Sequence, residues 1–285
     1  MSPLRKQMEA DMAVRGLAYR TRETYVQSVA KLAKYYSRRP DQISETEVQR
    51  YLLYLLQERK LAHSSCNVMV SALEFFYRVT LKRRQTEFCL PRPKVPAKLP
   101  QILAREEVAA LIGNTTNLKH RALLMATYGG GLRLHEVCHL RLCDIDSKRM
   151  MLRVEQGKGA KDRYTLLSPR LLEELRRYWQ LHRPRQWLFP SPRVPELPLS
   201  KHTAHRIYHA AKDRAGITKA GGIHALRHAF ATHLLEAGVD IHSIQRLMGH
   251  DSLSTTERYF HLAQKHLSGI ASPLDLLGRA DTIPR

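Results

Sequence analysis

The chain has 285 residues, 43% of them apolar, which is enough for one large core or two smaller ones. A formal charge of +21, from 47 Lys and Arg against 26 Asp and Glu, favours a polyanionic partner, and nucleic acid is the usual one. Four scattered cysteines (Cys66, Cys89, Cys138, Cys143) exclude a disulfide framework, and no segment is apolar and long enough to span a bilayer. The opening MSPLRKQMEADMAVRG has no apolar run, so a signal peptide is not expected and a cytoplasmic protein with reduced thiols is. The basic excess runs along the whole chain, so both halves can touch one phosphate backbone.

Residues 1–89 read as a helical bundle. Tyr25, Val29, Leu32 and Tyr36 form one helical stripe, and Val48, Leu52 and Leu55 mark a second helix. Ser64 or Ser65 is the expected cap of a third, with Val68, Ala72, Phe75 and Val79 as its buried face. That helix ends in Lys82, Arg83 and Arg84, cations that suit a helix C-terminus and can also meet phosphate. LPRPKVPAKLP, residues 90–100, is a stiff linker whose Lys94 and Lys98 can cross a DNA backbone.

A second domain is expected over 101–267. ILAREEVAALIG starts a helix with acids, and a further helix from about Leu118 to Tyr128 breaks at three glycines. RMMLRVE and RYTLLS change period to that of strands, joined by the hairpin QGKGAKD. Helical patterns return at 170–182, 202–215, 224–237, 240–248 and 252–266. The fold class is therefore mainly α with a small antiparallel β-sheet: an N-terminal helical bundle and a C-terminal α+β domain. A tail over 268–285 can form a short helix, capped by Ser272 with Pro273 at its first turn.

Several residues carry chemistry. Arg133 follows Gly129–Gly131, glycines that let a backbone approach a ligand, and guanidinium pairs bidentately with phosphate. Arg227 offers a second guanidinium, and two on one phosphate stabilise a pentavalent transition state. Glu136, three residues past Arg133 on a helix, can hold Arg133 or His224 in place. His135-Glu136-Val137-Cys138-His139 matches the zinc pattern H-E-x-x-H, but no third ligand follows at a known spacing, and no metal is expected. Lys158, in Gly157-Lys158-Gly159, can protonate a leaving alkoxide, with Lys161 and Arg163 as competitors for that role and as expected DNA contacts. His224 and Arg227 share a face at a helix start, where the backbone favours an anion. His228 and His233 read as structural. His250 follows Gly249, and Tyr259 becomes a nucleophile when cations favour phenolate and a His takes its proton.

With G-L-R-L-H-E (131–136), G-K-G-A-K-D-R (157–163), H-A-L-R-H-A-F-A-T-H-L-L (224–235), L-M-G-H (247–250) and T-T-E-R-Y (255–259) in this order, the chain resembles the tyrosine recombinases, also called the phage integrase family. The resemblance covers nearly the whole chain and leans toward compact Xer-like or mobile-element members. It implies Tyr259 as nucleophile, Arg133 and Arg227 on the scissile phosphate and Lys158 as general acid. It implies proton transfer by His224, a phosphate contact by His250 and a supporting Glu136. The implied reaction is strand cleavage to a 3′-phosphotyrosyl link, then attack by a 5′-hydroxyl from a partner duplex, with no cofactor. The implied partners are double-stranded DNA, at the nucleoid, and a homo-tetramer on two DNA sites, or a hetero-partner recombinase, with the 268–285 tail docked on a neighbouring subunit. Alternatives are a type IB-like topoisomerase and a non-catalytic DNA-binding regulator.

Overall fold

The computed structural model describes residues 2–83, 90–92, 101–155 and 162–249. The chain divides into two compact units, Met1–Lys98 and Leu99–Arg285. Among the described residues no helix is long and apolar enough to cross a membrane.

Among the described residues the first unit holds four α-helices: α1 (Pro3–Val14), α2 (Tyr19–Tyr36), α3 (Glu45–Gln57) and α4 (His63–Glu74), the last continuing as a π-helical turn over Phe75–Thr80. Ser44 starts α3 with a reciprocal cap, its hydroxyl accepting from the Glu47 N–H and the Glu47 carboxylate accepting from the Ser44 N–H. The core joins Met8, Met12, Val29, Leu32, Val48 and Leu52 to the buried face of α4. That face differs from the expected stripe. Cys66, Met69, Val70, Leu73, Phe76 and Tyr77 are buried with Ala72, whereas Val68 is 45% exposed. Ala62, not Ser64 or Ser65, precedes the helix, and no side chain caps it. Ser64, Asn67, Ser71 and Glu74 mark one polar face, but the apolar arc opposite is wide, and the expected stripe lies at one edge of it; the π turn also shifts the register of the last residues.

Lys82 is exposed, but Arg83 turns inward. Its guanidinium donates to the Asp41 carbonyl at 2.7 Å and lies over the Tyr77 ring at 4.9 Å. The expected phosphate contact of Arg83 gives way to this staple, because the Pro40–Gln42 turn leaves carbonyls that need donors. Arg84, Lys94 and Lys98 lie outside the described residues.

The second unit begins with α5 (Arg105–Gly113), α6 (Leu118–Gly129) and α7 (Leu134–Cys138). Three antiparallel strands follow in the order β1 (Ile145–Asp146), β2 (Met151–Val154), β3 (Arg163–Leu166). Leu152 pairs with Thr165 and Val154 with Arg163, which sets Arg163 at the hairpin end of β3. The two-residue β1 was too short to show a period in the sequence. Then come α8 (Pro169–His182), α9 (Lys201–Arg214), α10 (His224–Glu236) and α11 (Ile241–Met248). The core sits between α6, α8, the sheet and α10, with Leu123, Leu152, Leu171, Phe189 and Leu226 all nearly inaccessible. Each such side chain contributes about 1.5–3 kcal/mol on burial. Packed against α6, α5 and α11, α10 has Arg227 inside the domain and His224 at its open end.

Candidate active site

Leu132 ends the three-glycine turn, and Arg133 takes the N-cap position of α7 in extended backbone. Gly131 has φ +56°, and a Cβ there would lie 2.3 Å from the Phe230 ring of α10. The turn therefore requires glycine because the protein's own Phe230 approaches it, and no ligand need be invoked for that position. The same turn aims the Gly131 carbonyl at Arg227, which donates to it through Nη1.

Glu136 is the hub of the site. Its carboxylate accepts from the Arg133 N–H at 2.7 Å and from Arg133 Nη1 at 2.8 Å. It also receives Arg163 in a fork, Nη1 at 2.8 Å and Nη2 at 2.7 Å. Arg227 Nη1 stands 3.9 Å away. Burial pushes the Glu136 carboxyl up, but the bonds and charge of Arg163, with the bonds from Arg133, outweigh it and hold it down at about 2. An isolated helix pair is worth a few tenths of a kcal/mol, about 0.3. This carboxylate, 9% exposed and shared by two guanidiniums, is a different object.

The other ends of the same arginines meet the C-terminus of α11. Arg163 Nε donates to the Leu247 carbonyl at 2.9 Å, Arg227 Nη2 to Met248 at 2.6 Å, and Arg133 Nη2 to Gly249 at 2.6 Å. Terminal helix carbonyls lack intrahelical donors and carry the negative end of the helix dipole, so three cations in a row suit them. Gly249 closes α11 with φ +61°, and a Cβ there would lie 2.6 Å from Arg163 Cδ. Three guanidiniums around one carboxylate leave a formal +2.

His224, at the first position of α10, is exposed at its edge. Partial burial, then Arg227, His205 and Arg133, lower its pKa, while Glu136 pulls the other way. A neutral imidazole beside the arginines can accept a proton. His205, on α9, was not singled out in the sequence; it also meets Gly222, whose added Cβ would touch its ring at 3.4 Å. His233 is buried, and its Nδ1 lies 2.9 Å from the Tyr128 hydroxyl. His135 and His139 stack face to face with ring centroids 3.9 Å apart, and Glu136 between them in sequence turns to the arginines instead.

The structure thus gathers Arg133, Glu136, His224 and Arg227. It adds Arg163, whose side chain is 10% exposed and committed to Glu136 and Leu247, in place of the DNA-facing position expected for it. Its fork satisfies both oxygens of a carboxylate that folding has taken out of water. Lys158, Lys161, His250, Tyr259 and the 268–285 tail lie outside the described residues.

Residues 101–266 match the phage integrase family, and residues 4–87 match its N-terminal SAM-like domain. The chain belongs to the phage integrase family, the tyrosine recombinases. It is a DNA strand-transferring enzyme of the site-specific recombinase class. A Sinorhizobium fredii protein provisionally named an integrase/recombinase is 44% identical over 285 residues, covering 100% of this chain and 92% of its own length. The tyrosine recombinase XerA of Thermococcus onnurineus is 37% identical over 229 residues, covering 78% of this chain and 80% of its own. Among solved structures, the XerH site-specific recombinase bound to palindromic difH substrate, a post-cleavage complex, matches with a TM-score of 0.72 at 21% identity. That match covers 89% of this chain and 80% of the XerH chain and speaks for the fold.

Proposed function

We propose that this recombinase binds double-stranded DNA across its basic surface and cleaves one strand with Tyr259. The observation that carries the reading is the net +2 cluster of Arg133, Arg163 and Arg227 around Glu136, beside His224, whose pKa partial burial and neighbouring cations lower. A phosphodiester carries one negative charge and its pentavalent transition state two. A preformed +2 site favours the second over the first, which is what lowers a barrier. Arg133 and Arg227 hold the non-bridging oxygens. The Tyr259 oxygen attacks phosphorus as its proton passes to His224, the bond from phosphorus to the 5′-oxygen breaks, and Lys158 protonates that oxygen. His250 adds a hydrogen bond to the phosphate. The products are a 3′-phosphotyrosyl link and a free 5′-hydroxyl. A 5′-hydroxyl from a second duplex then attacks the link and releases Tyr259. One phosphodiester is exchanged for another, so no ATP is required.

The DNA-facing surface in this reading includes the exposed side of α9, where Lys201, His202, Arg206 and His209 are displayed next to the His205–His224 edge. Four subunits act on two DNA sites, with the 268–285 tail of one docked on the next, as in exchange between mobile-element or Xer-like targets.

The test begins with a random double-stranded oligonucleotide pool, from which bound sites are recovered. The best is rebuilt with a nick beside the scissile phosphate, so that the 5′-fragment escapes and covalent protein–DNA adduct accumulates. Wild-type protein should give a denaturation-resistant adduct and Tyr259→Phe none. A normal yield from Tyr259→Phe removes Tyr259 as nucleophile. Lys158→Ala should slow cleavage of this DNA but not of DNA with sulfur at the leaving 5′-position. Equal defects on both would remove Lys158 as the acid.

A further inference from the structure

We propose that Arg163 is a positioning residue for strand cleavage, a strut that sets the Arg133 and Arg227 guanidiniums by locking Glu136 to the end of α11. The inference rests on the reading above, in which those two arginines hold the scissile phosphate.

The geometry is a three-point fixture. Arg163 meets both Glu136 oxygens with its two terminal nitrogens and the Leu247 carbonyl with Nε. A planar guanidinium can do this in one orientation only, and a lysine ammonium has no fork with which to imitate it. Its Nε, Nη1 and Nη2 all already donate within the protein, to Leu247 and to the two Glu136 oxygens, so its bonds are spent on positioning. What it fixes is more informative. Glu136, held on one side by Arg163, presents its remaining capacity to the Arg133 N–H and Nη1. Leu247, held by Nε, is followed by Met248 and Gly249, whose carbonyls anchor Arg227 and Arg133. Arg163 therefore acts on each phosphate-holding arginine through the carbonyls of α11, and on Arg133 through the carboxylate as well. Gly249, in left-handed backbone, packs against the Arg163 stem, where an added Cβ would lie 2.6 Å from Cδ, which ties the strut to the end of α11. Its own strand position, opposite Val154, lies just past the segment that carries Lys158. One side chain thus joins the hairpin, the α7 cap and the α11 terminus.

Loss of the strut should leave the arginines present but misaligned. Misplacement by about 1 Å can cost on the order of 10²-fold in rate. The experiment is single-turnover cleavage of the nicked DNA site by wild type, Arg163→Ala, Arg163→Lys, Glu136→Gln and the Arg163→Ala/Glu136→Gln double variant. Affinity for an uncleaved site and urea stability are measured beside it. Arg163→Ala should cleave on the order of 10²-fold more slowly, with affinity for the uncleaved site retained and the folded fraction above the urea baseline. Arg163→Lys should recover stability more than rate. The double variant should be no slower than Glu136→Gln, because both changes cut one path.

The pH profile separates positioning from general support. Glu136 faces Arg133 at the cap of its own helix, Arg163 on β3, and Arg227 and His224 on α10. Without Arg163, the carboxyl should protonate at a higher pH, so acid-induced loss of stability should begin at a higher pH than in wild type, while the acid limb of the cleavage rate, set by the proton acceptor His224, should stay in place. Arg163→Ala cleaving at the wild-type rate, an onset of acid-induced unfolding that does not move, or defects that multiply in the double variant would overturn the inference. Should Arg163→Ala not fold, Arg163→Lys carries the test, and a stable Arg163→Lys protein with wild-type cleavage overturns it equally. Wild-type protein that forms no Tyr259-dependent adduct overturns the reading beneath it as well, so the two failures are distinct.

Discussion

Replacing Glu136 by Gln keeps the shape of the side chain and removes its charge. Two routes give the cost. A buried ion pair broken on one side costs about 3–5 kcal/mol, because the remaining charges stay buried without a counterion. Proton linkage gives a second value. The carboxyl lies at about 2 in the fold against a reference of 4.5, and that gap corresponds to about 3 kcal/mol. The folded pKa is depressed, so this stability is fully present above pH 4.5 and is lost as the pH falls toward 2. Urea denaturation near pH 7 should find the catalytic unit of Glu136→Gln less stable by about 3 kcal/mol, or about 6–12 °C in its melting temperature. The decisive feature is the pH dependence of the difference. Wild-type stability should fall by up to about 1.4 kcal/mol per pH unit below pH 4.5 from this group alone, and the variant should lack that component. The two proteins should converge as the solution is acidified. A difference below about 1 kcal/mol at neutral pH, or one that stays constant down to pH 3, would refute the claim that this charge holds the three arginines together.

Three further outcomes follow from the same contacts. Gly131→Ala must place a Cβ in left-handed backbone against a fixed aromatic ring, at a cost of about 2–4 kcal/mol in urea denaturation; a loss under about 1 would mean that the Phe230 contact is soft. Arg83→Ala should destabilise the helical unit by about 1–2 kcal/mol while leaving DNA affinity unchanged, since its guanidinium serves Asp41 and Tyr77; weaker DNA binding at full stability would restore the phosphate role. After burial and Arg227, His205 is the next influence holding the His224 pKa down, so His205→Ala should raise it in an NMR titration. A fall would show that His205 does not act on His224 as a like charge.

The groups that were legible in the sequence are those whose chemistry is carried by residue type and short spacing. Arg133 with Glu136, and His224 with Arg227, sit three apart on helices, and the helix turn brings each pair to one side without help from the rest of the chain. The strand period on either side of QGKGAKD located the hairpin for the same reason. What the sequence hid depends on contacts made across long separations. Arg163 and Glu136 are 27 residues apart, Arg227 and Gly131 are 96, and Arg133 and Gly249 are 116. No spacing rule reaches that far. An arginine beside a glycine-rich hairpin looks like a phosphate ligand because the cheapest assumption is that a surface cation meets a solvent-side anion. Its true partner here is a carboxylate that only folding buries. The α4 stripe failed for the converse reason: its apolar arc is wider than one face, so which part of it is buried is set by the neighbouring helices and the π turn, not by α4 itself. The active-site cluster is thus written in two layers. One consists of the arginines and His224, which a motif can display. The other consists of the acceptors that hold the arginines, Glu136 and the carbonyls of Leu247, Met248 and Gly249, and three of those four are backbone atoms with no residue type to read.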